Sequence, residues 1–354
     1  MTALANDFPA TPGAADTATD APVEEPRQRR PLLKVDGLAK AFPAPRDGLF
    51  GPRRRLTAVA DVSFDLIAGE TLAVVGESGC GKSTVGNLVL NLLRPSAGSI
   101  LFEGEDLTAG SDARWRARRR DLQLIFQDSR SALDPRLRID QQVAEGLEIH
   151  GIGDRAERAR RVAEMLEAVG LGGEFAARYP HELSGGQQQR AVIARALVLE
   201  PKLVVCDEPV AALDVSVQAQ VVNLLRDLQG RFGLAYLFIS HDLSVVRHVA
   251  DRVAVMYLGR FVELADRDAL FAAPAHPYAR ALIGAVPAAR SRHGRRVQPL
   301  SLEGEPPSPL DPPAGCALHP RCPFATDRCR KERPALRPLA DGRSVACHHA
   351  ETLP

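Results

Sequence analysis

No uninterrupted apolar stretch in these 354 residues approaches the ~20 needed to cross a bilayer as a helix, so no membrane span is expected. Residues 1 to 30 lack the apolar middle of a secretory signal peptide. Charge of one sign is missing too. Against 45 Lys and Arg stand 44 Asp and Glu, a formal +1 that gives no general reason to expect a nucleic-acid partner. No internal repeat of fixed period is present. Cysteine is sparse, six in all; without an export signal these read as thiols or metal ligands in a reducing cytoplasm rather than as disulfides. What remains is a soluble globular composition, 45% hydrophobic and 25% charged, in a chain long enough for a core domain with additions.

The strongest local pattern is Gly76-Glu77-Ser78-Gly79-Cys80-Gly81-Lys82-Ser83-Thr84. It follows the apolar Leu72-Ala73-Val74-Val75 and runs into a Val- and Leu-rich segment from Val85 to Leu93. Strand, tight loop and helix is the context in which G-x-x-x-x-G-K-[ST] binds phosphate. Glycines let successive N–H groups turn toward one point, and the helix adds the positive end of its dipole. In that pattern Lys82 reaches the β- and γ-phosphates and Ser83 gives its hydroxyl to Mg²⁺.

Residues 1 to 30, rich in Ala, Pro, Thr and acidic residues and closing on Arg27-Gln28-Arg29-Arg30, bury too little apolar surface to fold and read as a disordered arm. Order begins at Leu32-Leu33-Lys34-Val35, with a loop expected over 43 to 57 and strands near Val62–Leu66 and Ser99–Phe102. Arg114, Arg116, Arg118, Arg119 and Arg120 surround Trp115. With no stacking aromatics repeating nearby, this run reads as a solvated helix face or loop rather than a nucleic-acid contact. Leu122–Phe126 reads as a strand ending at Gln127, and 130 to 180 as helical, with Val162, Met165, Leu166 and Val169 on one face and Gly170 as the cap. A helix opens near Ser184 and runs to about Leu199, where Pro201 ends it.

Three apolar strands follow, Leu203–Cys206, Leu234–Ile239 and Arg252–Leu258; the first is tipped by Asp207-Glu208 and the second by Ser240-His241-Asp242. Strands alternating with helices, with polar groups at the strand ends, predict a doubly wound α/β sheet with its site at the carboxyl ends of the strands. Beside a phosphate loop, Asp207 can hold Mg²⁺ through its water shell and Glu208 can polarise the attacking water.

At this density the motifs resemble the ATP-binding cassette (ABC) family. Leu183-Ser184-Gly185-Gly186-Gln187 matches the family's signature, whose hydroxyl, backbone donors and helix dipole serve a γ-phosphate. The resemblance implies that Ser184, Gly185, Gly186 and Gln187 act on the nucleotide of a second chain in a head-to-tail dimer. It also implies roles for Phe42 as the aromatic stacked on adenine, Gln127 as the Mg²⁺ and water sensor, Asp214 in the loop crossing the dimer seam, and His241 as the γ-phosphate switch. Gly48-Leu49-Phe50-Gly51, Arg178-Tyr179-Pro180-His181-Glu182-Leu183, Leu213-Asp214-Val215-Ser216-Val217-Gln218-Ala219-Gln220 and His276-Pro277-Tyr278 look like the oligopeptide/dipeptide importer ATPases, most similar to the F-type subunit of a pair. Val210-Ala211 and Asp128-Ser129-Arg130 depart from that pattern.

The implied architecture is a P-loop ATPase core over 31 to 265, with an antiparallel β subdomain and a helical subdomain at about 130 to 183, then a small Cys-rich C-terminal extension over 266 to 354. In that extension Cys316, Cys322, Cys329 and Cys347 follow C-x₅-C-x₆-C-x₁₇-C in a segment too short for its own core. Four thiolates can hold Zn²⁺ or an iron–sulfur cluster, and the C-x₂-C knuckles of structural zinc are missing. The peptide-importer family carries this pattern with an associated cluster, so the resemblance implies [4Fe–4S], with zinc as the alternative. His319, His348 and His349 read as surface residues, and Cys80 and Cys206 as small buried thiols without a metal role.

The expected function is ATP hydrolysis powering peptide import, at the cytoplasmic face of the inner membrane. The expected partners are a second ABC ATPase, two transmembrane permeases and an extracytoplasmic binding protein, with no nucleic acid. Nickel, glutathione or oligosaccharide import is the alternative, and a soluble nucleic-acid- or ribosome-associated cassette a further one. Gln127 to Ser184 leaves no room for the long coiled coil that many of the latter carry.

Overall fold

The computed structural model describes residues 30–44, 54–108, 110–286 and 300–353. Most of the expected N-terminal arm and all of Gly48–Gly51 lie outside the described residues. Twelve strands occur among them in chain order: β1 Leu33–Pro43, β2 Arg55–Leu66, β3 Thr71–Val75, β4 Ala97–Phe102, β5 Glu105–Asp106, β6 Leu122–Ile125, β7 Leu203–Asp207, β8 Ala235–Ser240, β9 Arg252–Tyr257, β10 Arg260–Asp266, β11 Arg337–Pro338 and β12 Ser344–Val345. They form two sheets. One is four-stranded and antiparallel, in the order β2-β1-β4-β5. The other has the order β11-β12-β10-β9-β3-β8-β7-β6, parallel from β9 to β6 and antiparallel beyond β9.

The parallel strands are continuous apolar runs because both faces are covered. Alternation sorts their side chains. Ala73, Val75, Val204, Cys206, Tyr236 and Phe238 enter one core, whereas Leu72, Val74, Leu203, Val205, Leu237 and Ile239 enter the other. The first core is closed by helices Ile139–Ile149, Arg155–Ala168, Gly185–Leu197 and Val215–Phe232 through Leu147, Val162, Val192 and Leu225. The second is closed by helix Lys82–Val89 and the antiparallel sheet, through Val85, Leu33 and Val62. The strand-and-helix reading of the core therefore holds, with boundaries moved. β1 and β2 run into both ends of the expected 43–57 loop, where the Ala44 N–H donates to the Arg54 carbonyl at 3.0 Å. Helix Gly185–Leu197 ends two residues before Leu199, and the C-cap at 169 precedes Gly170, whose φ of +73° suits glycine.

Arg114, Arg116 and Arg118 lie in helix Asp112–Arg118, with Arg119 as its C-cap. Trp115 is buried, its Nε1 donating to the Leu107 carbonyl at 2.8 Å, and Arg118 pairs with Glu103, Glu105 and Asp121. The C-terminal segment does more than pack beside the cassette. Ser344 and Val345 pair with Leu264 and Glu263, so β12 and β11 extend the cassette's own sheet. Glu263 is fully buried there and accepts from the Ala275 and His276 N–H groups at 2.9 and 2.7 Å, which anchors the chain as it enters the extension.

Candidate functional site

Three parallel strand tips meet at the site. β3 ends at Val75 and turns through Gly76–Gly81 into helix Lys82–Val89. Two glycines in this turn are sterically required. A Cβ on Gly76 would sit 2.2 Å from the Met256 carbonyl oxygen, and one on Gly81, at φ +110°, would sit 2.2 Å from the Ala58 carbonyl oxygen. Backbone cannot move aside as a flexible side chain can, so the loop is pinned between β2 and β9. Ser78 and Gly79 are exposed, Thr84 is half-buried, and Cys80 is buried with its thiol pushed up by desolvation. Lys82 is buried, and its Nζ donates to the Gly76 and Glu77 carbonyls at 2.9 and 3.0 Å.

The next tip, β7, carries Asp207, which accepts from Ser83 Oγ at 2.9 Å. Burial raises the Asp207 carboxyl above its ordinary range, against the pull of the Ser83 hydroxyl and the Lys82 charge. Glu208 follows with φ +47°, a left-handed conformation uncommon for a side-chain-bearing residue, fixed by its N–H donating to Ile239 of β8 at 2.9 Å. That turn aims its carboxylate at two groups. Gln127 Nε2 donates to one oxygen at 3.0 Å, and His241 Nδ1, beyond the tip of β8, donates to the other at 3.0 Å. Because an ionised carboxylate only accepts, His241 Nδ1 carries the proton of this contact.

The structure thus gathers Lys82, Ser83, Asp207, Glu208, Gln127 and His241. Phe42 lies further along the same edge. It pairs with Leu56, two residues before Ala58, and the Lys40 ammonium lies 5.3 Å from its ring centre. Ser184, Gly185, Gly186 and Gln187 lie apart: no hydrogen bond joins them to Gly76–Thr84 among the described residues. Ser184 caps its helix in a reciprocal box with Gln187, and Asp214 caps Val215–Phe232 by accepting from Val217 N–H at 2.9 Å. A Cβ on Gly185 would meet Leu213, and one on Gly186 would meet Val217. The signature and the Asp214 loop are neighbours.

Two contacts with the phosphate loop were not foreseen from sequence. Tyr278 Oη accepts from the Glu77 N–H at 2.8 Å, and Arg321 Nη1 lies 3.2 Å from the Glu77 carboxylate. Arg321 is 244 residues away in the chain and carries no local signal. The strained turn at Glu208 was equally hidden. A cavity of about 420 Å³ lies elsewhere, between β10 and the extension, lined by Arg260, Arg333 and Leu318.

Cys316, Cys322, Cys329 and Cys347 do converge, lining one cavity of about 10 Å³ with His319, His348 and His349. Burial raises the Cys316 and Cys322 thiols and pushes Cys347 up to about 11. Among the described residues no group of three or more His, Cys, Asp or Glu is placed to hold a metal ion, so the expected metal centre has a plausible donor set but no supporting geometry. The surface reading of His349 also changes: its Nε2 lies 3.1 Å from Thr326 Oγ1 and 3.6 Å from Cys329 Sγ, inside the cysteine unit.

Comparison with known proteins accounts for both parts of the chain. A family model for ABC transporters matches residues 59–211, and one for the oligopeptide/dipeptide transporter C-terminal region matches residues 262–329. A probable peptide ABC transporter ATP-binding protein of Sinorhizobium fredii is 53% identical over 90% of this chain and 89% of its own. A di/tripeptide transport ATP-binding protein of Pseudomonas aeruginosa is 52% identical over 90% of this chain and 98% of its own. Among solved structures, a dimeric ATP-binding cassette in a post-hydrolysis state with ADP and Pi aligns at TM-score 0.59 and 28% identity, covering 66% of this chain and 98% of that one. Likeness that runs through cassette and extension alike settles the lineage: the chain belongs to the ABC transporter ATP-binding proteins of the oligopeptide/dipeptide type.

Proposed function

We propose that this protein is the ATP-hydrolysing subunit of a peptide importer. The observation that carries the reading is the meeting of Gln127, Glu208 and His241 beside the Ser83–Asp207 pair. Lys82, with one of its three donors left after two carbonyls, binds the β- and γ-phosphates. Ser83 and Asp207 form an oxygen pair that suits Mg²⁺, and the ion supplies charge neutralisation at the phosphates. Glu208 orients a water and takes its proton as the water oxygen bonds to the γ-phosphorus and the bond to ADP breaks. Gln127 and His241 hold the Glu208 carboxylate, and a proton on His241 Nε2 would let that nitrogen donate to the γ-phosphate.

Among the described residues the signature Ser184–Gln187 makes no hydrogen bond to its own phosphate loop, which supports a second cassette chain as its target, as does the likeness to a dimeric cassette. A groove of about 380 Å³ lined by Leu92, Phe126, Glu145, Ile149 and Arg195 supports docking of the permeases. Ile149 is 74% exposed and Phe126 50%, and Phe126 immediately precedes Gln127, so a partner seated there lies one residue from the Glu208 carboxylate's neighbour. No helix among the described residues is long and apolar enough to cross a membrane, so the span would come from those permeases, with this chain on their cytoplasmic face. Peptide is favoured over nickel, glutathione or oligosaccharide by the match at 262–329 and by the names of the relatives. An extracytoplasmic binding protein would deliver it. The carboxylate pairing of Arg118 and the burial of Trp115 weigh against a nucleic-acid role.

The four extension thiols are the donors we assign to a [4Fe–4S] cluster, with zinc as the alternative; the support is the chemistry of the donor set, since no metal-holding geometry is present among the described residues. Anaerobic purification tests it: brown absorbance with iron and sulfide is expected, and colourless protein with stoichiometric zinc overturns it. The transport reading is tested by reconstituting the chain with the two permeases and second ATPase in vesicles. ATP-dependent peptide uptake is expected, and uptake independent of this subunit overturns it.

A further inference from the structure

One residue of the phosphate loop, Glu77, is gripped from three directions. Its N–H donates to Tyr278 Oη at 2.8 Å. Its carbonyl accepts from Lys82 Nζ at 3.0 Å. Its carboxylate oxygens both lie 3.2 Å from Arg321 Nη1. The first and third grips come from the C-terminal part of the chain, and neither is loose. Tyr278 is fully buried, its ring 4.6 Å from that of Tyr257, and Tyr257 Oη lies 3.5 Å from Arg321 Nη1. The Arg321 side chain is only 9% exposed, and its Nε is buried without a hydrogen-bond partner among the described residues. Its backbone is fixed inside the cysteine unit: Arg321 N–H donates to Leu318 at 2.9 Å, and Cys316 N–H donates to Cys329 at 2.8 Å.

An arginine enclosed this far, with one nitrogen left unsatisfied, contributes little net stability, because desolvation offsets the attraction to its carboxylate. What it contributes is geometry. An ammonium has three donors, and Lys82 spends two on the Gly76 and Glu77 carbonyls. The positions of those two oxygens therefore set the direction of the third donor. Whatever fixes the peptide at Glu77 aims Lys82.

We propose that Arg321 is a positioning residue for ATP: by holding Glu77 it aims Lys82 at the phosphates, so the cysteine-bearing extension sets nucleotide affinity. This rests on the reading of Gly76–Thr84 as the ATP site. ATP affinity of the full chain is measured by calorimetric titration, with kcat and KM taken on the assembled transporter and thermal midpoints recorded alongside. Arg321→Ala is expected to weaken ATP binding about tenfold and raise KM in step, with kcat changed less than about twofold. Glu77→Gln, nearly isosteric, is expected to do the same and carries the test if Arg321→Ala does not fold. The double variant should be no worse than the weaker single, and Arg321→Lys should recover part of the loss. ATP affinity within twofold of the unmodified chain in both single variants, or multiplied losses in the double variant, overturns the proposal. Failure of the unmodified chain to bind ATP would instead overturn the reading of the loop itself.

Discussion

The nucleotide site and the cysteine-bearing extension use opposite means to place their polar groups. At the site, Ser83, Asp207, Glu208 and His241 stand at the ends of parallel strands or open the helix after one, so the sheet fixes them and they fix one another. In the extension, regular structure among the described residues beyond 300 amounts to one five-residue helix and two two-residue strands. That region is held from outside, by Val345 pairing with Glu263 and by Arg321 reaching Glu77. The first region keeps Asp207 and Glu208 half-buried and paired with Ser83, Gln127 and His241. The second rests on a buried Glu263, raised by desolvation, and a buried His276, pushed down to about 3 by the same cause. A sheet edge specifies chemistry locally; a loop-rich attachment must borrow its order from the body it covers.

If that contrast is right, substitutions at the strand tips should separate function from stability. Glu208→Gln keeps the shape of the carboxylate and removes its basicity. Turnover should fall about 10²–10⁴-fold while ATP still binds, measured as single-turnover hydrolysis against equilibrium titration. Unchanged hydrolysis would remove Glu208 as the base. Gly81→Ala probes the frame instead. A methyl 2.2 Å from the Ala58 carbonyl oxygen, at φ +110°, should cost about 3 kcal/mol of stability and weaken ATP binding together. Loss of binding with an unchanged unfolding midpoint would contradict a frame pinned between two strands.

On the extension side the sharper test is acid. His276 Nδ1 accepts from the Tyr278 N–H at 3.1 Å and the ring is kept neutral by burial, so its folded pKa lies below the ordinary 6.5. The unfolded chain takes up a proton below pH 6.5 that the folded chain refuses. Stability is therefore intact above pH 6.5 and is lost progressively as pH falls toward about 3. Glu263 has the opposite sign: its raised carboxyl holds a proton in the folded chain above the ordinary 4.5, so its contribution declines as pH rises from there. Between pH 6.5 and 5 the histidine should cost about 2 kcal/mol. His276→Asn keeps a cap acceptor for the helix and removes the titration, so its denaturation midpoints should change less over that interval. Parallel pH profiles for the two proteins would show that burial of His276 does not matter.

Much of the nucleotide site was legible because its motifs are contiguous. Gly76–Thr84 carries loop and helix start in nine consecutive residues, and Asp207-Glu208 ends a run, Leu203–Cys206, apolar enough to be a buried strand. That the strands form a doubly wound sheet followed from their alternation with helices. Three things were not legible, for separate reasons. The left-handed turn at Glu208 depends on the Ile239 carbonyl of another strand, and no local preference of glutamate predicts it. The ends of β1 and β2 were mistaken for loop because Pro43 and the arginines near 54 resemble a turn, whereas hairpin pairing overrides composition. Arg321 and Tyr278 act on Glu77 across most of the chain, and their spacing says nothing of that contact.

The smallest expected effect also tests whether the site is shared between chains. Ser184 serves its own helix, accepting from Gln187 N–H at 3.4 Å while Gln187 Oε1 accepts from Ser184 N–H at 2.9 Å. Removing the hydroxyl in Ser184→Ala should lower stability by about 1 kcal/mol through the lost cap. If the cap were its whole role, hydrolysis would change only as folding does. If the hydroxyl also meets a second chain's γ-phosphate, hydrolysis by the assembled ATPase pair should fall further than the loss of cap stability explains. ATP binding to the single chain should stay unchanged. Specific activity followed across protein concentration, with Ser184→Gly as a control that restores most of the cap without the hydroxyl, separates the two. Full activity in Ser184→Gly would confine Ser184 to its own helix and place it with the structural residues of the fold.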